Sequence, residues 1–151
     1  MERKAFLKTL GAGAAFALTF SCLHGCSSDS GDNEIEGEVV EEPTGIDFTI
    51  DLNSAEAVNL TSNGGFILKD LVVIVKNLEG EFVAASQICS HEGYDQVRFV
   101  SPDNVGVFYC DVHGSRFAQD GTPLNSTSEG RPLKIYSTEV LADDMLRIFE
   151  A

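Results

Sequence analysis

From Ile46 to the C-terminus, apolar side chains occur in short segments that alternate with polar residues or run together, separated by turn residues. The segment 46–52 alternates with a period of two, which is typical of a half-buried β-strand. Further strands are predicted at 66–70, 71–76, 81–86, 96–100, 105–109, 132–138 and 145–150. Only 53–60 favours a helical turn. These short strands predict an all-β fold, an antiparallel sandwich or barrel.

Turn sequences connect the predicted strands at the expected places. The stretch SNGG precedes the second strand, and NLEG at 77–80 predicts a hairpin. A second hairpin is predicted around SPDN at 101–104, where proline occupies the second turn position. The stretch EVLADD at 139–144 predicts a third.

The N-terminal 25 residues have a different pattern. A basic start is followed by an apolar segment of about eleven residues, from Leu10 to Phe20, and then by small residues. This is the layout of a secretory signal peptide over 1–25. A membrane-spanning helix is the alternative, but a span needs roughly 20 apolar residues, and this run is shorter.

The end of this segment reads LHGC, Leu23 to Cys26, and resembles the lipobox of bacterial lipoproteins. The resemblance implies lipidation of Cys26 and an exported, membrane-anchored lipoprotein on the periplasmic side or the cell surface. An ordinary signal peptide with a chance cysteine is the alternative. The stretch ERKAFLK at 2–8 resembles a twin-arginine export signal, with Arg3–Lys4 in place of the arginine pair.

The segment that follows is strongly acidic. Residues 27–45 contain seven acids and no bases, and they lack the apolar surface needed to compensate for ordering. We therefore expect a flexible tether over 26–45 and a folded domain over 46–151. The formal net charge of −14 argues against nucleic-acid binding. It permits a cationic partner, or it serves solubility alone.

The cysteines and histidines are concentrated in two short motifs. Once the signal and Cys26 are set aside, the chain keeps Cys89 and His91 in a C-x-H motif, and Cys110 and His113 in a C-x-x-H motif. A disulfide would leave the histidine spacing unexplained, and structural zinc usually pairs like with like. One cysteine and one histidine in each motif suit a [2Fe–2S] cluster with mixed ligands.

The stretches CSHEG at 89–93 and CDVHGSRF at 110–117 resemble the Rieske iron–sulfur family, and the resemblance covers about 46–151. It implies a Rieske-type antiparallel β-domain with two cluster-binding loops and one [2Fe–2S] cluster. It further implies that Cys89 and Cys110 bind one iron and that His91 and His113 bind the outer one. Ser115 stands where a serine hydroxyl donates to a bridging sulfide.

Several positions depart from the family pattern. Quinol-oxidising members of the family have a disulfide between the two loops, and this chain has Tyr94 and Val112 at the corresponding positions. Those members also have a tyrosine that is hydrogen-bonded to a ligand sulfur, and this chain has Phe117 there. A lost donor and the carboxylates of Glu92 and Asp111 should lower the potential. We expect it in the lower or middle part of the range of about −150 to +300 mV.

The resemblance favours a one-electron carrier with redox protein partners and a membrane contact through its lipid. The alternative is the iron–sulfur subunit of a quinol–cytochrome c reductase or a related complex, in which the quinol would meet His113. No histidine remains for the mononuclear iron of a Rieske oxygenase. The sequence predicts no catalytic site apart from the cluster.

Overall fold

The structure, a computed structural model, describes residues 37–151 of the chain. Within that range the backbone forms nine strands and three short 3₁₀ helices. The strands are β1 Asp47–Asp51, β2 Phe66–Lys69, β3 Val72–Lys76, β4 Phe82–Ser86, β5 Val97–Val100, β6 Val107–Cys110, β7 Arg116–Phe117, β8 Ile135–Val140 and β9 Met145–Phe149. The 3₁₀ helices are Ala55–Thr61, Pro102–Asn104 and Ala142–Asp144.

The strands form two antiparallel sheets. The larger has six strands in the order β1-β9-β8-β4-β3-β2, and the smaller has three in the order β5-β6-β7. All observed pairings are antiparallel. The predicted all-β antiparallel class is therefore confirmed.

Strand β3 contributes to two separate groups of buried side chains. Val72 and Ile74 belong to one hydrophobic cluster, whereas Val73 and Val75 belong to a second that also contains residues of β5, β6 and β7. All four side chains are fully buried. Because successive strand residues point to opposite faces, β3 is covered on both sides, which explains why its sequence is continuously apolar.

The predicted strands agree with the observed ones except near the C-terminal third. The segment predicted at 132–138 begins as a strand only at Ile135, because Leu133 instead donates its amide to the carbonyl of Gly121, at 3.0 Å. The two-residue strand β7 is too short to show a period and was not predicted. The expected helical turn at 53–60 is a seven-residue 3₁₀ helix, Ala55–Thr61.

Residues 37–45 contact the domain, which therefore extends further toward the N-terminus than the acidic composition suggested. The Val40 amide donates to the Gly93 carbonyl at 2.9 Å, and the Gly45 amide donates to Glu150 Oε2 at 2.7 Å. Backbone hydrogen bonds of this kind need no apolar side chains, so composition does not reveal them.

The predicted signal peptide, Cys26 and the first part of the predicted tether lie outside the described residues. Among residues 37–151, no helix is both long enough and apolar enough to cross a membrane.

Candidate metal centre

Two loops, each starting at a cysteine, are closed by the same pair of backbone hydrogen bonds. The Cys89 amide donates to the Tyr94 carbonyl, and the Gly93 amide donates back to the Cys89 carbonyl, each at 2.8 Å. The second loop repeats this pattern. The Cys110 amide donates to the Ser115 carbonyl, and the Gly114 amide donates back to the Cys110 carbonyl, each at 3.0 Å. The two motifs therefore have one loop geometry in common, although their histidines stand at different offsets.

Glycine is required at the same place in both loops. Gly93 and Gly114 each lie four residues after the loop cysteine, with φ of 78° and 74°. Only glycine adopts such a conformation without steric cost. The strand pairing of Val97 with Cys110 joins the end of the first loop to the start of the second, which brings both motifs to the same region of the small sheet.

Both loop cysteines are buried, free thiols. Cys89 is 2% exposed and Cys110 is fully buried, and both belong to the second hydrophobic cluster. The neighbouring Cys110 thiol is the main cause that lowers the pKa of Cys89 to about 6, against the opposing effect of burial. The same contact, together with burial, raises the pKa of Cys110.

The two thiols therefore release one proton easily and retain the second, because a second ionisation would place two thiolates side by side. A metal centre stabilises both thiolates by its positive charge and removes that obstacle. The thiol pair is consequently suited to metal ligation.

The two histidine rings lie next to each other on the more accessible side of the loops. Their centroids are 5.0 Å apart, with an interplanar angle of 85°. The side chain of His91 is 18% exposed and that of His113 is 38% exposed. The Tyr94 ring also lies edge-on to the His113 ring, at a centroid distance of 5.7 Å. His113 is thus the more accessible imidazole.

Two buried polar atoms at this site have no hydrogen-bond partner among residues 37–151. They are His91 Nδ1 and the Ser115 hydroxyl oxygen. The Ser115 hydroxyl is close enough to Cys89 to lower its pKa, but the contact does not meet hydrogen-bond geometry. Buried polar atoms rarely lack partners. Both atoms would gain a partner from a bound group in which iron accepts the lone pair of the imidazole nitrogen and sulfide accepts a hydrogen bond from the hydroxyl. The residues therefore fit a [2Fe–2S] cluster.

A carboxylate lies between the two imidazoles. Glu92 places Oε1 at 3.9 Å from His91 Nε2 and Oε2 at 3.6 Å from His113 Nδ1. The donor atoms of these three residues all lie within 4.8 Å of one another, close enough for a single metal ion. The sequence pointed to Glu92 only as a nearby negative charge, because a position between two loops has no sequence signature.

A third segment, residues 123–132, connects to both loops, and the sequence did not predict this role. Asn125 donates from Nδ2 to the Gly114 carbonyl at 2.8 Å, and Ser90 of the first loop donates to the Arg131 carbonyl at 2.8 Å. The buried Ser128 hydroxyl contacts the Arg116 carbonyl at 2.8 Å. Small polar residues favour such side-chain-to-backbone bonds. The small polar residues of this segment were the one feature of the sequence that could have indicated its contacts with the loops.

Comparison with known proteins identifies the class. The family profile described as the Rieske [2Fe–2S] domain matches residues 49–139. The chain therefore belongs to the Rieske [2Fe–2S] domain family, and its cofactor is one [2Fe–2S] cluster.

The chain is similar to two curated iron–sulfur subunits. They are the menaquinol:cytochrome c reductase iron–sulfur subunits of Geobacillus thermodenitrificans, at 26% identity, and Bacillus subtilis (strain 168), at 30% identity. Each match extends over 103 residues and covers 68% of this chain and 57% of the relative. The chain thus spans little more than half the length of these relatives.

A solved structure with a similar fold is described as the small subunit of an NADH-dependent nitrite reductase from Mycobacterium tuberculosis. It matches with a TM-score of 0.50 and 12% identity, and the match covers 72% of this chain and 98% of that one. This likeness concerns the fold alone.

Proposed function

We propose that the chain is a one-electron transfer protein in which Cys89, Cys110, His91 and His113 hold its [2Fe–2S] cluster. The observation that carries the proposal is the meeting of two buried free thiols and two more accessible imidazoles on two loops with identical backbone closure. When bound, the cluster supplies a one-electron couple. The buried thiols would hold the cluster in the protein interior, and the more accessible imidazoles would face its electron-transfer partner.

Each ligand type has a distinct part in this proposal. The thiols lie within the hydrophobic cluster, where they anchor the group away from water. The imidazoles lie closer to solvent, so a partner protein or a quinol would approach on the side of His113. The Ser115 hydroxyl is available to donate a hydrogen bond to the group.

The preferred setting is a carrier anchored through a lipid on Cys26, exported by the twin-arginine route. The LHGC stretch and the Arg3–Lys4 start support this setting. A protein whose cofactor is inserted in the cytosol must cross the membrane folded, which also favours that route. Replacing Cys26 with alanine should release the mature protein from the membrane fraction, and continued membrane attachment would contradict the anchor.

The second candidate is the iron–sulfur subunit of a quinol–cytochrome c reductase, which the names of the curated relatives favour. Reduction of the purified protein by a menaquinol analogue, followed by absorbance, would distinguish the two. Reduction by the quinol analogue supports the subunit, whereas reduction only by protein donors supports the carrier.

The ligand assignment is tested by iron and sulfide analysis with electron paramagnetic resonance of the reduced protein. We expect two irons per chain, as a [2Fe–2S] centre requires, and an average g value below that of clusters held by four cysteines. Cys110→Ser and His91→Gln should abolish the signal. Zinc in place of iron would overturn the assignment.

Glu92→Gln is the matched control. It disrupts a single-ion site made by His91, Glu92 and His113 but removes no proposed cluster ligand. Loss of iron in this variant, with iron retained in Cys110→Ser, would favour the single-ion site instead.

A further inference from the structure

Residues 37–40, called here the N-terminal strap, pair with the first loop in the manner of a short β-bridge. The Asp95 amide donates to the Glu38 carbonyl at 3.0 Å, and the Val40 amide donates to the Gly93 carbonyl at 2.9 Å. The Glu38 amide donates in turn to Asp95 Oδ1 at 3.0 Å. The strap therefore pairs with the part of the first loop that immediately follows its histidine.

The strap also reaches the second loop through Gly37. A methyl group on Gly37 would lie 2.8 Å from Cγ of Gln96, 3.2 Å from Cδ1 of Tyr94 and 3.4 Å from Cγ2 of Val112. The strap can approach this closely only because the residue has no side chain. Since Tyr94 belongs to the first loop and Val112 to the second, Gly37 lies against both loops at once.

One further contact connects the strap to the accessible imidazole. Val39 is bridged with Tyr94, and the Tyr94 ring lies against the His113 ring. A movement of the strap would thus change the support of His113 without any direct contact between them.

We propose that the N-terminal strap is a positioning segment that holds the two loops together and fixes Tyr94 against His113. The inference rests on the proposed placement of the cluster in these loops. The strap contacts Tyr94 of the first loop and Val112 of the second. Because Cys89 and Cys110 are free thiols, no disulfide joins the two loops among residues 37–151. It also continues directly into the acidic N-terminal region, so the entering chain itself supports the metal centre.

The test compares two variants of the full chain at position 40. Val40→Pro removes the amide that donates to Gly93. Val40→Ala is the matched control, because it shortens the side chain at the same position and keeps the amide that donates to Gly93. Gly37→Val is a further variant that acts by size and removes no hydrogen-bond donor.

We expect hydrogen exchange of the amides at 89–95 to rise about fivefold to tenfold in Val40→Pro, as loss of one backbone hydrogen bond implies. Gly37→Val should act in the same direction. In both variants the reduced cluster should show shifted g values and a shifted midpoint potential, and iron should pass to a chelator faster. Val40→Ala should match the unmodified protein.

Equal behaviour of Val40→Pro and Val40→Ala in hydrogen exchange and in the spectrum would contradict the proposed role of the strap. If Val40→Pro fails to fold, an unchanged spectrum in folded Gly37→Val has the same consequence. Absence of iron and sulfide from every protein, including the unmodified chain, would contradict the proposed function instead. In that event the exchange comparison still decides whether the strap orders the loops.

Discussion

Ser115 combines full burial with a hydroxyl that lacks a hydrogen-bond partner among the described residues. A donor placed at the cluster favours the reduced state, because reduction adds negative charge to the sulfurs. The orphaned hydroxyl is therefore explained if it acts on the cofactor.

Replacing Ser115 with alanine should lower the midpoint potential by about 60 mV, the equivalent of about 1.4 kcal/mol for one electron. Redox titration followed by absorbance or paramagnetic resonance measures the shift. The exposed Ser101 in the β5–β6 hairpin is the control, and its alanine variant should keep the original potential. An unchanged potential in Ser115→Ala would mean that the hydroxyl is merely buried.

Phe117 offers the opposite change at the same site. Its ring is fully buried in the hydrophobic cluster that contains both loop cysteines. Phe117→Tyr would add a donor close to the ligand sulfurs, so the midpoint potential should rise by about 60 mV. Redox titration with an unfolding curve tests this. No shift in a stably folded variant would show that the hydroxyl cannot reach a sulfur.

At the scale of elements, one loop geometry serves two different motifs. Both loops close onto their cysteine through a glycine of positive φ, yet the histidine comes two residues after Cys89 and three after Cys110. The two imidazoles also differ in access, because the side chain of His91 is 18% exposed and that of His113 is 38% exposed.

The third segment should matter for stability because the side chain of Asn125 forms hydrogen bonds with three other residues. Its amide donates to the Gly114 carbonyl, and its Oδ1 accepts from the Arg116 amide at 3.2 Å and from the Ser128 hydroxyl at 2.8 Å. Asn125→Ala leaves these groups without that partner and should cost about 1–3 kcal/mol in the free energy of unfolding.

Urea unfolding measures this loss. The neighbouring Ser126, which is exposed, is the control, and Ser126→Ala should change the free energy of unfolding by less than about 0.5 kcal/mol. Equal curves for the two variants would show that the segment does not stabilise the domain.

At the scale of the whole molecule, the formal net charge of −14 dominates long-range interactions. The carboxylate of Glu92 is 50% exposed and lies beside His113, the more accessible imidazole. The region proposed to contact a partner therefore also has a negative charge. A basic electron-transfer partner would therefore be attracted, and the attraction would be screened by salt.

The rate of electron transfer to a basic c-type cytochrome should fall about tenfold or more between about 10 mM and about 200 mM salt. Stopped-flow absorbance measures the rate. A neutral quinone analogue is the control acceptor and should respond weakly. A rate that is independent of salt with the basic partner would contradict electrostatic attraction.

The sequence alone determined the strand positions, the hairpin turns and the two motifs, because each depends on residues that are close together in the chain. The period of the apolar positions predicted most strands within a few residues. The resemblance of the two motifs that hold Cys89, His91, Cys110 and His113 to the Rieske family predicted the family and its cofactor, since ligand type and offset are local properties.

Only the tertiary structure decided which distant segments support the metal centre. The strap at 37–40 contacts the first loop mainly through backbone amides and carbonyls, which every residue carries, so no residue type marks it. The third segment at 123–132 contacts the loops through the side chain of Asn125 and the carbonyl of Arg131. Its small polar residues favour such bonds, but their identity does not indicate which distant segment they will meet. The position of Glu92 between His91 and His113 likewise depends on how two loops meet. These features arise from contacts between segments far apart in the chain, and a linear pattern does not encode such contacts.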